Sequence, residues 1–357
     1  MEPSNGLPPE LKELSELPGL PGFEEEVRSW LIERFTRLHL PYHVDSMGNL
    51  LVASRGMSGT LQGSTSYRKR KVMLAAHMDE VGLIVSDIED SGLLRFQGLG
   101  GIDERVLAAK PVFVGPNRLP GVIGLKPFHL QTKDERSQTI SRRNLYIDIG
   151  ARNRADAARW VKPGDGVVFD TVCEPFGQGF YKGKAFDDRA GCYLLYKLLT
   201  SGLDIPFYAA FTVQEEVGLR GAGTAASFLE PDLAVVLEAT TCADLPGTAE
   251  HEQATRLGHG PVITRSDSAT ISDPYWTEVI VGLAETAGVP WQWKRTHLGG
   301  NDAGRIHLSA GGIPSISISV PCRYIHSPVS VLSADDLYHA YQLVELFLHQ
   351  AVREGGE

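Results

Sequence analysis

The feature that most constrains the fold of this chain is a change of texture in its middle. From about residue 82 to 172 the sequence is built of short β-like runs, at 82–85, 93–96, 111–114, 121–124, 145–149 and 166–169, with turn residues between them. A single short helical pattern, at 155–161, breaks that rhythm. On either side, longer apolar strands alternate with helices. Residues 71–76 are a near-continuous apolar run of the kind buried on both faces in a parallel sheet. Past 172 the reading is helix 190–203, strand 207–213, helix 222–228, strand 233–237, helix 273–287, strand 316–320 and helix 334–352. Strands alternating with helices build a mainly parallel sheet covered on both faces. The expected fold is therefore α/β, a mainly parallel central sheet flanked by helices, with an inserted small β-barrel-like domain. The larger domain is discontinuous, 1–81 and 173–357, and 82–172 is the insert. A length of 357 residues suits that division.

The first eighty residues carry two further signals. Leu20-Pro21-Gly22-Phe23-Glu24 opens a helix in which Val27, Trp30, Leu31, Phe35 and Leu38 make one apolar stripe. Residues 44–53 read as a hairpin turning at Gly48.

Composition excludes several roles. A formal net charge of −10 argues against nucleic acid as a partner. No apolar run approaches the roughly 18–20 residues of a membrane span. The start, Met1-Glu2-Pro3-Ser4-Asn5, has neither the basic residues nor the apolar stretch of a signal peptide. The four cysteines, Cys173, Cys192, Cys242 and Cys322, lack paired spacing and imply reduced thiols in a cytoplasm. The basic run Arg68-Lys69-Arg70-Lys71 reads as a solvated loop entering a strand.

The metal-type residues fall on one line of this outline. His77 and Asp79 lie just past strand 71–76, two apart and so on one side of an extended chain. Asp187 and Asp188 stand before helix 190–203. Glu215 and Glu216 follow strand 207–213, Glu238 follows strand 233–237, and His326 comes after strand 316–320 and Pro321. The carboxyl edge of an open α/β sheet is where ligands bind. Taken singly, each residue has an ordinary reading: a packed histidine, a helix cap at Asp188, a solvated glutamate turn. Gathered at one edge, these groups would repel one another and lose solvation without cations between them. Imidazole and carboxylate without thiolate suit zinc, cobalt or manganese. Two such ions, roughly 3.5–4 Å apart, need a bridging carboxylate and share an activated water. A further carboxylate must take that water's proton and deliver it to a leaving group.

Ala76-His77-Met78-Asp79-Glu80-Val81-Gly82, Gly183-Lys184-Ala185-Phe186-Asp187-Asp188-Arg189-Ala190-Gly191, Gln214-Glu215-Glu216-Val217-Gly218 and Arg323-Tyr324-Ile325-His326-Ser327-Pro328 occur in that order. Together they resemble the motifs of the glutamyl and tetrahedral aminopeptidases, metallopeptidase family forty-two. Leu145-Tyr146-Ile147-Asp148-Ile149-Gly150-Ala151 and Lys162-Pro163-Gly164-Asp165 resemble its inserted β domain, and Gly299-Gly300-Asn301-Asp302-Ala303-Gly304 its substrate-side loop. The resemblance runs from about Gly22 to Phe347.

It implies a metal-dependent aminopeptidase releasing N-terminal residues from peptides by a metal-bridging water and a glutamate base. Two divalent ions per chain are implied, zinc first, with cobalt or manganese as alternatives. Asp187 would bridge them. Glu216 and His326 would complete one shell, His77 and Glu238 the other. Glu215 would be the base, and Asp79 would orient the imidazole of His77. Asp302 would lie near the substrate's amine, and Asn301 would bear on substrate preference. The partners implied are peptides with free N-termini and further copies of the chain, assembled as a dodecamer built from dimers through the insert. The sequence departs from the family at two of these positions, with Glu238 where Asp is usual and Asn301 where Thr is usual. Rival readings are another two-metal hydrolase of the same fold, such as a carboxypeptidase or N-acyl amino acid deacylase, and a binding protein without metals. The position of the insert, directly after the His77–Asp79 strand, favours the aminopeptidase.

Overall fold

The computed structural model describes residues 6–57, 61 and 70–353. Met1–Asn5 and the Arg68-Lys69 part of the basic run lie outside those residues. Within them, Arg70 donates to the carbonyl of Ala351 and stacks over Trp276.

The chain opens with α1 (Pro9–Glu16), α2 (Glu25–Arg37), β1 (Tyr42–Val44), β2 (Leu50–Ala53) and β3 (Val72–His77). Six strands follow: β4 (Gly82–Ile88), β5 (Leu94–Leu99), β6 (Pro111–Val114), β7 (Leu119–Leu125), β8 (Leu145–Asp148) and β9 (Gly166–Phe169). Two short helices, α3 (Lys133–Ser137) and α4 (Arg154–Ala157), lie among them. Then come β10 (Glu174–Phe176), β11 (Phe180–Gly183), α5 (Phe186–Thr200), β12 (Tyr208–Thr212), α6 (Arg220–Leu229) and β13 (Leu233–Thr241). The last elements are β14 (Val262–Thr264), α7 (Pro274–Ala287), β15 (Gln292–Trp293), α8 (Ala303–Ile306), β16 (Ser315–Arg323), β17 (Ser330–Ser333) and α9 (Ala334–Arg353).

The large sheet has the order β1-β2-β12-β3-β13-β16-β17-β11-β10, with β14 beside β16 and β15 beside β14. Its centre, β12-β3-β13-β16, is parallel, and its flanks are antiparallel. All six residues of β3 are buried, as an apolar run covered on both faces should be. Each such Val or Leu contributes about 1.5–3 kcal/mol of hydrophobic stabilisation. On one face α5 and α9 supply Leu194, Leu195, Leu198, Leu343, Val344 and Phe347 to the main core. On the other, α6 and α8 supply Ala222, Ala225, Ala226, Ala303 and Ile306.

All six β-like runs of the middle segment are strands, and they close into a barrel, β4-β5-β8-β7-β6-β9. Leu83, Val85, Phe96, Val112, Ile123, Ile147 and Val167 fill its interior. Closure removes the exposed strand edges that so many short strands would otherwise present.

Two strand ends beside the site differ from the sequence reading. β13 runs to Thr241, so Glu238 lies inside the strand and not after it. β16 continues through Pro321 to Arg323. One edge of β16 pairs with β14 up to Ser319 and with β17 from Cys322, and that uncovered stretch is where a strand can hold a proline. α3 was not expected, although Thr132 and Glu135 form a capping box whose T-x-x-E spacing is visible in the sequence. Among the described residues no helix is long and apolar enough to cross a membrane. The four cysteines are buried and unpaired.

Candidate metal centre

The parallel strands set the site. His77 ends β3, and Thr212, its register partner, ends β12. Glu238 lies on β13 opposite Ser319 of β16. Asp187 sits at the start of α5, where it and Asp188 depart from helical φ/ψ and the peptide between them is cis. Glu215 and Glu216 occupy the loop after β12, and His326 the loop after β16. Backbone at Ala185, Gln214, Leu219, Tyr324 and His326 is left-handed, with φ between 56° and 61°. Each non-glycine residue there costs about 1–2 kcal/mol, which the surrounding contacts must offset.

The sheet edge brings the predicted metal-type residues together. Nε2 of His77 lies 3.2 Å from Oδ1 of Asp187 and 3.3 Å from Oε1 of Glu238. Nε2 of His326 lies 3.3 Å from Oδ2 of Asp187 and 3.4 Å from Oε2 of Glu216. One carboxylate thus presents one oxygen to each histidine. Ligand atoms of His77, Asp187 and Glu216, and of His77, Glu215 and Glu238, fall within 4.8 Å of one another. Glu215 stands 4.0 Å from His77, at the edge of the same cluster.

Asp79 lies against the imidazole of His77, as the resemblance implies, and does so chiefly through its backbone. Its carbonyl oxygen lies 3.0 Å from Nδ1 of His77, while its carboxylate lies 3.6 Å away. With Nδ1–H donating to that carbonyl, the lone pair of Nε2 points at Asp187 and Glu238, the tautomer a metal ligand requires. The Asp79 carboxylate instead accepts the backbone N–H groups of Glu215 and Glu216, each at 3.0 Å. The Asp79 carboxylate thus ties the Glu215–Glu216 backbone to the strand end that carries His77.

Asp188 fits the capping role: Oδ1 accepts from Gly191 N–H, and Oδ2 from His77 N–H. Asp302 is fully buried, with Oδ2 accepting from the hydroxyl of Thr212 and Oδ1 left without a partner. Asn301, also buried, donates to Ser317 and accepts from Ala303 N–H. Asp244, after the end of β13, is held by Arg323 at 2.7–2.8 Å. His297, beside the 299–304 loop, pairs with Ser266. A contact the sequence did not signal is the buried Lys184–Glu80 ion pair at 2.5 Å, which lines the same cleft as Asp187, Glu216 and His326. The barrel reaches this cleft too: Phe169 of β9 lines it, and Gly100, just past β5, abuts Glu216. A Cβ at Gly100 would lie 2.8 Å from Val81 and 3.3 Å from Glu216, and its φ of +80° already favours glycine.

The electrostatics explain why the cluster calls for cations. Burial pushes Glu216 up to about 8, and Asp187 adds to the push. Burial lifts Glu238 to about 7 and Asp302 to about 6, and carries Glu215 well above the ordinary carboxylate range. For His77 burial acts downward, but Glu238 and Glu215 outweigh it and hold the ring well above its usual value. His326 reaches about 9, burial being outweighed by Asp187 and Glu216. Asp187 stays below its usual value: burial raises it, but the hydrogen bonds of His326 and His77 prevail. One oxygen each of Glu216 and Glu238 is buried without a partner. Nitrogen and oxygen donors in excess, some unpaired, fit divalent metal.

Comparison with known proteins identifies the family. The sequence profile of the M42 glutamyl aminopeptidases matches residues 57–343. A glutamyl aminopeptidase of Lactococcus lactis is 31% identical over 341 residues, 92% of each chain. The solved structure of an aminopeptidase from the archaeon Desulfurococcus kamchatkensis superposes with a TM-score of 0.89 at 36% identity, covering 97% of this chain and 95% of that one. The Pyrococcus horikoshii TET1 peptidase superposes at 0.82 with 33% identity, covering 94% and 97%. The chain belongs to the M42 glutamyl aminopeptidase family, and it is an aminopeptidase, a peptide hydrolase.

Proposed function

We propose that the chain is a two-metal aminopeptidase acting on peptides with free N-termini. The observation that carries this reading is Asp187, whose two oxygens face His77 and His326 at 3.2 and 3.3 Å. We assign Asp187, Glu216 and His326 to one divalent ion and Asp187, His77 and Glu238 to the other, with zinc the first choice and cobalt or manganese as alternatives. When bound, the ions supply a Lewis acid for the scissile carbonyl and lower the pKa of a water. Glu215 takes a proton as the water oxygen forms its bond to the carbonyl carbon. The same carboxyl returns the proton to nitrogen as the carbon–nitrogen bond breaks, so the peptide leaves as an amine. Asp79 fixes the backbone of Glu215 and Glu216. Asp302, with one unpaired oxygen, faces the substrate's amine, and Asn301 shapes that side of the pocket.

The Pyrococcus horikoshii TET1 peptidase can assemble into a tetrahedron or a large octahedral shell, and the PhTET1-12s structure is a dodecamer. By likeness, this chain assembles as a homo-oligomer, a dodecamer built from dimers. The insert of 82–172 walls the site of its own chain and makes contacts between chains, in a cytoplasmic enzyme. Metal analysis of the purified protein, with aminoacyl chromogenic amides assayed alongside, tests the reading. Two ions per chain and hydrolysis of unblocked substrates are expected. Hydrolysis of N-acetylated substrates in preference to free ones would overturn it.

A further inference from the structure

The helix-opening string Leu20-Pro21-Gly22-Phe23-Glu24 has no part in the chemistry assigned above, yet it lies against the loop that carries Glu215. β12 ends at Thr212, so the next four amides have no strand to pair with. All four donate to side chains. Val213 N–H goes to Oδ1 of Asn49 at 3.0 Å and Gln214 N–H to Oε1 of Glu24 at 3.2 Å. Those of Glu215 and Glu216 go to the two oxygens of Asp79 at 3.0 Å each.

We infer that Glu24 and Asn49 are positioning residues for the peptidase reaction, completing with Asp79 a row of acceptors that sets the backbone from which Glu215 and Glu216 project.

Both added acceptors are themselves held rigidly. Phe23 N–H donates to the carbonyl of Leu20, with Pro21 and a left-handed Gly22 between, the pattern of a type II turn. That turn directs Glu24 inward, where it is 4% exposed and also accepts from Gly22 N–H at 2.7 Å. Asn49 is fully buried and closes the neck of the loop. Besides accepting from Val213, its Nδ2 donates to the carbonyl of Gly221 at 2.9 Å, to Asp45 at 2.7 Å and to Thr224 at 2.9 Å. A Cβ on Gly221 would lie 2.3 Å from Oδ1 of Asn49, so this closure requires glycine. Between these anchors Gln214 is left-handed, a conformation that re-aims the residue after it. That residue is Glu215. Removing the acceptor from Gln214 N–H would leave a half-buried donor without its protein partner one residue before the base.

The inference rests on Glu215 being the base, and the experiment separates the two. The metal-loaded full-length enzyme is assayed as wild type, Glu24→Ala, Glu24→Gln, Glu24→Asp and Glu215→Gln, with metal content and amide hydrogen exchange measured on each. Displacement of a catalytic group by about 1 Å can cost up to about 100-fold. Glu24→Ala is expected to lower kcat about 10- to 100-fold, with KM within about twofold, metal content unchanged and faster exchange at Gln214 and Glu215. Glu24→Gln keeps the acceptor oxygen and should recover kcat to within about threefold. Should Glu24→Ala fail to fold, Glu24→Asp carries the test, since it withdraws the acceptor by one methylene and should lower kcat at constant metal content. Wild-type kcat in Glu24→Ala or Glu24→Asp, or no recovery in Glu24→Gln, overturns the positioning role. Wild-type kcat in Glu215→Gln overturns the assignment of the base, whatever the Glu24 variants do.

Discussion

The two halves of the cluster are built from different material. His77 ends a fully buried strand and is 1% exposed, and its partner Glu238 lies within β13. His326 and Glu216 sit on loops, and the side chain of His326 is 40% exposed on a left-handed backbone. A strand-borne ligand is fixed by the sheet hydrogen bonds that also hold the core. A loop-borne ligand keeps its place through a few bonds outside the sheet ladders, which open more readily. Asp187 belongs to both halves. The half beside His77 should therefore hold its ion firmly, and the half beside His326 should exchange with solvent and admit the substrate.

The largest test removes the shared element. Asp187→Ala should abolish activity and stable binding of both ions, seen as loss of metal after gel filtration. Two tightly bound ions in that variant would mean the halves are independent. Next, Glu215→Gln should cost about two to four orders of magnitude in kcat while keeping metal. Metal loss there would exchange the roles of Glu215 and Glu216.

The asymmetry itself is tested by dialysis against a chelator. The ion beside His326 should leave first, so stoichiometry should fall from two to one in a resolved early phase. His326→Ala should abolish that phase and leave one slowly released ion. A single phase in the wild type would show that burial does not separate the halves. A smaller effect is expected at Glu238. Glu238→Asp should shift one of the two metal titrations to higher concentration, and Glu238→Ala should shift it further, with the Glu216–His326 ion little changed. If Glu238→Ala moves neither, Glu238 is no ligand.

The last test is of stability without metal. In the metal-free protein Glu216 and Glu238 have folded pKa values raised to about 8 and 7, and His326 to about 9. Between about pH 5 and 9 the folded state thus binds more protons than the unfolded state. Stability falls with rising pH wherever that holds. The melting temperature of the chelated protein should decline across this window, and metal should flatten the decline. A chelated protein that grows more stable from pH 5 to 8 would contradict the charge balance described above.

Much of this was legible in the residues. The six short runs between 82 and 172 became the six strands of the barrel because alternation and turn residues are local signals. His77, Asp187, Glu215, Glu216, Glu238 and His326 were readable as a group because each lies near a strand end or helix start, and parallel topology gathers those ends at one edge. Strand lengths were less legible. The reading stopped β13 before Glu238 and β16 before Pro321, since sheet pairing overrides the local preference for a break.

The sequence by itself determined the chemistry: which donors are present, that they are imidazole and carboxylate, and that a parallel sheet would bring them together. Only the tertiary structure decided what each group is free to do. Asp79 looked like a partner for the imidazole of His77; it meets that ring through its carbonyl, and its carboxylate also accepts two amides contributed by a loop more than a hundred residues away. Glu24 looked like a helix opener and is an acceptor for that same loop. Hydrogen-bond partners across such separations depend on distances of a few tenths of an ångström set by packing, and no local pattern of residues encodes them.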